Sequence, residues 1–145
     1  MQLSQILTHD VETVPPDASI RDAARRMKEL DVGALPVCDG TRLLGMITDR
    51  DIAVRAVADG RESGTPVREA MTPNVVFCYE DEDVRQAADL MEQQQIRRLP
   101  IMSRDKKLVG IVSLADVARQ GNDRLSGEAL QQISQPGGSH NQQAH

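Results

Sequence analysis

The chain is short of nearly everything that an enzyme, a nucleic-acid binder or a membrane protein needs. Among its 145 residues, Phe77 and Tyr79 are the only large aromatics and tryptophan is absent, so there is no platform on which successive bases would stack. Basic side chains are the minority, 17 Lys and Arg against 22 Asp and Glu for a net charge of −5, which argues against a nucleic-acid face. No apolar run approaches the roughly 20 residues of a membrane helix. The opening MQLSQILTHD lacks the basic start and apolar stretch of a signal peptide, so a cytoplasmic location is expected. Two cysteines, Cys38 and Cys78, are too few for a disulfide framework and form no CxxC pair; they read as reduced thiols serving as small apolar side chains in strands. His9, His140 and His145 are scattered and suggest no metal ligand set. No G-x-S-x-G elbow, Walker loop or HExxH motif occurs. A cysteine nucleophile would lack a histidine base. No catalytic residue, metal or cofactor is assigned.

What the chain does have is a copy of itself. Shifted by 64 residues, LSQILT at 3–8 falls on VREAMT at 67–72, ASIRDAARRMKEL at 18–30 on EDVRQAADLMEQQ at 82–94, and ALPVC at 34–38 on RLPIM at 98–102. One inserted residue later, LLGMITDRDIA at 43–53 falls on LVGIVSLADVA at 108–118. A duplication decides the architecture, and two copies suit a closed pseudo-twofold pair better than a solenoid. In each copy a short strand (Val11–Val14; Val75–Tyr79) leads through turn-formers to a helix. Ile20, Ala23, Ala24, Met27 and Leu30 follow helical spacing on one face, and Val84, Ala87, Ala88 and Met91 repeat it. Ser19 and Asp83 stand where N-caps are wanted. Two strands then come close together, Leu35–Cys38 with Leu43–Thr48 and Leu99–Met102 with Leu108–Ser113, joined by hairpin chemistry (DGTR; SRDKK). A last helix opens at Asp49 or Leu114. The fold class is α/β (α+β), two βαββα repeats. At about 55 residues a single unit is too small to bury a good core alone, and two packed sheet to sheet would solve that. The expected boundaries are a first repeat over 1–60, a linker over 61–66, a second repeat over 67–121 and a C-terminal extension over 122–145, largely disordered after 135.

The chemistry concentrates where a buried strand becomes a helix. Gly45-Met46-Ile47-Thr48-Asp49-Arg50-Asp51 and Gly110-Ile111-Val112-Ser113-Leu114-Ala115-Asp116 both spell G-x-x-[ST]-x-x-D. One reading is a capping box, although that box normally uses the longer Glu or Gln to reach back, and Asp suits it less. The other is a ligand site: free N–H groups and a hydroxyl at a helix start suit a phosphate or ribose edge. A carboxylate one turn on can accept both hydroxyls of a cis-diol, and the glycine lets backbone or ligand approach closely. The residues themselves support both readings equally.

The order strand, helix, LPV, hairpin, GMITDRD, given twice over roughly residues 3–120, resembles a pair of cystathionine β-synthase (CBS) domains, the Bateman module. It is similar to short stand-alone bacterial two-CBS proteins, including the hypoxic-response type. The resemblance implies two sheets about a pseudo-twofold axis, with two clefts that commonly take adenosine-containing ligands such as AMP, ADP, ATP, NAD or S-adenosylmethionine. Asp51 and Asp116 match the family's ribose-binding aspartate, and Thr48 and Ser113 its hydroxyl near ribose or phosphate. The family's base-contacting wall implies Thr13, Val14, Leu35 and Val37 for the Ser113/Asp116 cleft, and Cys78, Tyr79, Leu99 and Ile101 for the Thr48/Asp51 cleft. Its basic phosphate partner, just before the second strand, is matched by Arg97 and Arg98. The first copy has Gly33 and Ala34 there, which puts phosphate binding in its cleft in doubt, with Arg50 as the substitute.

The expectation is a non-catalytic sensor, a homodimer through the apolar side of Ile52, Ala53, Ala56 and Val57, that binds an adenine nucleotide and passes its occupancy to a separate effector protein. The alternative is a ligand-free interaction or stress-response protein whose clefts are filled by its own side chains.

Overall fold

A computed structural model describes residues 1–9, 11–119 and 133. The chain forms two compact units, Glu12–Val75 and Met1–Val11 with Val76–His145. These units do not follow the repeat boundaries. The segment leading each repeat in sequence is built into the unit that holds the rest of the other repeat. The expected extension over 122–145 lies outside the described residues except for Ile133, which is buried in a hydrophobic cluster with Leu3, Met91 and Val117.

In the Glu12–Val75 unit, helix α1 (Ile20–Leu30) starts where Ser19 Oγ accepts the Asp22 N–H at 3.0 Å and buries Ile20, Ala23 and Met27, a narrower face than predicted, since Ala24 and Leu30 are exposed. It stops at Asp31, which adopts a left-handed conformation. Strands β1 (Ala34–Asp39) and β2 (Arg42–Thr48) pair antiparallel around Gly40 and Thr41. Gly40 sits at φ +62°, a conformation glycine adopts without steric cost. The strand expected at Val11–Val14 contracts to one parallel bridge between Val14 and Val37. Val14 donates to the Pro36 carbonyl and accepts from the Cys38 N–H, and Pro15-Pro16, which lack N–H groups, keep the ladder from running on past it. The chain leaves β2 through a helical turn α2 (Asp49–Asp51) that widens into a π-helical stretch over Ile52–Val57. Ala56 is fully buried and Ile52 packs on the same core. Half of the apolar stripe expected to serve self-association is thus spent inside the unit, and Ala53 and Val57 are its exposed members; Val54, outside that stripe, is exposed as well.

A third strand, β3 (Thr72–Pro73), completes this sheet in the order β1-β2-β3. Pro73 pairs with Gly45 and Thr72 with Met46. A Cβ on Gly45 would stand 2.3 Å from the Thr72 carbonyl oxygen.

The other unit repeats the scheme. Strand β4 (Cys78–Tyr79) runs parallel to β5 (Arg98–Met102), which pairs antiparallel with β6 (Leu108–Ser113). Helix α3 (Val84–Gln94) is capped by Asp83 in a box with Gln86 and buries Val84, Ala87, Ala88 and Met91. Helix α4 (Leu114–Arg119) follows β6. The N-terminal segment takes the place of β3: Thr8 and Ile111 exchange both backbone hydrogen bonds, at 2.9 and 3.2 Å. A Cβ on Gly110 would stand 2.3 Å from the Thr8 carbonyl oxygen and 2.5 Å from Leu7 Cδ1. The glycine of the motif therefore makes room for backbone in both copies.

Gly45→Ala and Gly110→Ala should each cost about 1–3 kcal/mol of stability, the range for inserting atoms into a packed site. Gly64→Ala, which adds a Cβ into open space, should be near neutral. Urea unfolding of the three variants checks this, and a Gly45→Ala midpoint equal to the parent's would contradict the close approach.

Candidate functional site

The two G-x-x-[ST]-x-x-D segments adopt the same geometry. In the first, the Thr48 N–H donates to Asp51 Oδ2 at 3.0 Å while the Asp51 N–H donates to Thr48 Oγ1 at 3.0 Å. In the second, the Ser113 N–H donates to Asp116 Oδ2 at 2.8 Å and the Asp116 N–H to Ser113 Oγ at 3.1 Å. Both are reciprocal capping boxes, so the shorter carboxylate does reach back, contrary to the expectation that Asp suits the box poorly. The capping reading is realised in both copies. It does not exhaust the carboxylates, because each ionised oxygen carries two acceptor positions.

Both carboxylates are nearly enclosed, Asp51 at 2% exposure and Asp116 at 7%. Burial pushes the Asp51 carboxyl above the usual aspartate range, opposed by the Thr48 N–H and hydroxyl and by the positive charge of Arg55. An acid raised in this way costs the folded state stability at neutral pH. The cost is relieved as pH falls through the folded value and changes no further below the unfolded one. Arg55 is a residue that sequence reasoning missed. Its Nη1 donates to the carbonyls of Met71 at 2.8 Å and Ala70 at 3.3 Å, tying the π-helical stretch to the segment that enters β3. A lone arginine on a helix carries no signal for that role.

The remaining predicted residues fall into two groups. Val14, Leu35 and Val37 belong to the hydrophobic cluster of the Glu12–Val75 unit, and Cys78, Leu99 and Ile101 to that of the other unit. Their side chains are core, and what they can offer a ligand is main chain. Thr13, Arg50, Arg97 and Arg98 are exposed and Tyr79 is half-buried. Within each unit the backbone joins these groups to the cap. Leu35 pairs with Ile47 and Ala34 with Thr48; Leu99 pairs with Val112 and Arg98 with Ser113. The first helical N–H of each motif bonds the carbonyl of the residue before the strand, Asp49 to Gly33 and Leu114 to Arg97, both at 2.9 Å. Arg97 and Arg98 are thereby held beside Ser113 and Asp116. Tyr79 lies under Arg104, whose Cζ is 4.1 Å from the ring centre, and meets the edge of Phe77 at 5.4 Å.

The two copies differ in charge. Asp49 and Arg50 follow Thr48, whereas the neutral Leu114 and Ala115 follow Ser113. Arg119 donates through Nη2 to Asp116 Oδ1. Among the described residues no group of three or more His, Cys, Asp and Glu side chains is placed to hold a metal ion, and no helix is long and apolar enough to cross a membrane.

Comparison with known proteins places this geometry in a family. The CBS domain model matches twice, over residues 3–57 and 67–122. The chain is 46% identical over 129 residues to the CBS domain-containing protein YhcV of Bacillus subtilis, covering 88% of this chain and 91% of that protein. It is 37% identical over 116 residues to Hypoxic response protein 1 of Mycobacterium tuberculosis, covering 79% and 80%. The crystal structure of Hypoxic Response Protein I, which holds two coordinated zinc ions, superposes with a TM-score of 0.76 at 36% identity, covering 82% of this chain and 98% of that one. CBSX2 in complex with AMP superposes with a TM-score of 0.74 at 26% identity, covering 85% and 97%.

The cysteines offer no reactive centre of their own. Both are buried free thiols, and burial pushes Cys38 up to about 11 and Cys78 up to about 12, the latter helped by the nearby Glu82 charge. Since the thiolate is the nucleophile, native protein at pH 8 should resist iodoacetamide and react at both cysteines only when unfolded. Fast native alkylation of either, read by mass spectrometry, would reopen the cysteine-nucleophile reading.

Proposed function

The chain belongs to the CBS-domain family, and on that premise we propose that it is a non-catalytic regulatory module that binds an adenosine-containing nucleotide, AMP or ATP before NAD or S-adenosylmethionine. The observation that carries the reading is the buried carboxylate in its reciprocal cap, present in both repeats and adjoined in the second by Arg97 and Arg98. Asp116 and Ser113 would take the ribose edge, because a carboxylate fixed by a main-chain N–H keeps acceptor positions for a cis-diol. Arg98, with Arg97 beside it, would take the phosphate through charge-assisted hydrogen bonds. Thr48 and Asp51, with Arg50 nearby, form the weaker counterpart. Thr13, Val14, Leu35, Val37, Cys78, Tyr79, Leu99 and Ile101 supply the base-contacting main chain and edges, as the family pattern implies. Differential affinity for two arrangements of the protein is what would convert occupancy into a signal. A separate effector protein, a cytoplasmic setting and a homodimer through the part of that stripe left exposed, Ala53 and Val57, complete the proposal.

One observation favours the ligand-free reading. Arg119 already occupies Asp116 Oδ1, a contact from the chain's own side chain where a ribose hydroxyl would lie.

Calorimetry separates the two. A charge-assisted contact is worth about 1.5–3 kcal/mol, roughly tenfold to a hundredfold in affinity. Arg98→Ala should therefore weaken AMP by at least about tenfold and adenosine much less. Asp116→Ala should remove most AMP binding, and Asp51→Ala should matter less. Absence of heat from AMP, ADP, ATP, NAD and S-adenosylmethionine at millimolar concentration would leave the ligand-free reading standing. Sedimentation of the same samples reads the dimer, and monomer alone at micromolar concentration would remove it.

A further inference from the structure

We infer that the two repeats select adenosine ligands of different charge: the second takes an adenosine with a 5′-phosphate, and the first takes one whose 5′ group is neutral or cationic. This rests on the nucleotide-binding reading above and goes beyond it, since the family match treats the two motifs alike.

Between the repeats, two residues are exchanged together at positions the backbone makes equivalent. The residue before the inner strand accepts the first helical N–H of its own motif, Gly33 from Asp49 and Arg97 from Leu114. The second repeat thus combines a cation before the strand with a neutral residue at the helix start. The first combines no side chain with an acid. Packing couples the two changes. A Cβ at position 33 would lie 3.1 Å from Asp49 Oδ2, so the missing side chain is what leaves room for that carboxylate. Asp49 is held in place, its Oδ1 accepting the Arg50 N–H at 2.8 Å.

The charges beside the two caps then differ, balanced at the first and positive at the second. Around Thr48 stand Asp49 and the buried Asp51 against Arg50 and Arg55, whose charge reaches Asp51 although its guanidinium also bonds the Ala70 and Met71 carbonyls. Around Ser113 stand Arg97, Arg98 and Arg119 against the buried Asp116. The hydroxyl-and-carboxylate pair is the same in both, so both can hold a ribose. A phosphate dianion beside the first cap meets a fixed carboxylate, and like charges a few ångströms apart repel even where water screens them. Beside the second it meets guanidinium groups, whose donor forks fit phosphate. A ligand ending in a free hydroxyl or a positive group meets no such penalty in the first repeat.

Calorimetry on the unmodified chain with AMP and adenosine tests this. After saturation with AMP, one further equivalent of adenosine should bind. That second event should vanish in Asp51→Ala and persist in the double variant Arg97→Ala/Arg98→Ala. The exposed Asp49→Asn change, which leaves the cap of Thr48 and Asp51 intact, should narrow the first repeat's preference for adenosine over AMP by about tenfold, the scale of one charged contact. If AMP blocks all adenosine binding, or Asp49→Asn leaves the preference unchanged, the inference fails while nucleotide binding stands. If neither ligand binds, both fall together.

Discussion

Two contacts between main chain and main chain, over Gly45 and Gly110, hold the arrangement together. At each, a carbonyl oxygen, of Thr72 or of Thr8, comes so near the central strand that no side chain fits between. Those approaches let the lead segment of one repeat become the edge of the sheet that carries the other repeat's motif. The connectivity follows: the chain starts in one unit, passes through the whole of the other and returns. A βαββα unit of this size buries little core by itself, and exchanging segments gives each unit apolar residues from both ends of the duplication. Leu3, Ile6 and Leu7 join one cluster, and Val67 and Ala70 join the other.

The same strand that receives the exchanged segment ends, three residues later, in the capping box. One stretch of backbone therefore fixes the sheet edge, starts the helix and aims a buried carboxylate. Asp51 and Asp116 each accept a main-chain N–H through Oδ2, which leaves further acceptor positions on the carboxylate, one of them used in Asp116 by Arg119. Around that common core the two copies have diverged in their charged neighbours. Arg119 bears on Asp116 in one, and Asp49 lies beside Gly33 in the other. Shared geometry with unlike charge suits a module whose two copies report on different molecules.

The elements governed by local chemistry were legible in the sequence. Helices α1 and α3, with their Ser19 and Asp83 caps, follow from spacing and hydrogen-bonding chemistry within a few residues, as do the hairpins. What depended on distant backbone was hidden. The strand at Val11–Val14 shrank to one bridge; Pro15-Pro16 marks where it must stop, but nothing in the residues before Val14 marks where pairing begins. Strand β3 and the exchange of lead segments had no local mark beyond the two glycines, whose spacing alone does not say whether backbone or ligand comes close. The π-helical stretch at Ile52–Val57 left no pattern in its residues, and it turned Ile52 and Ala56 toward the core. At the site, the four motif residues do meet in the two caps, but the division of labour within them was not legible. Asp proved long enough to cap, and the role of Arg55 depends on carbonyls fifteen and sixteen residues away.

Caps that are at once structural and ligand-receiving would respond to AMP at their own amides, which nuclear magnetic resonance during AMP titration reads most directly. The N–H groups of Ser113 and Asp116, already bonded within the cap, should shift early and furthest, with those of Arg97 and Arg98. Amide shifts confined to residues away from both motifs, or none at saturating AMP, would contradict the account.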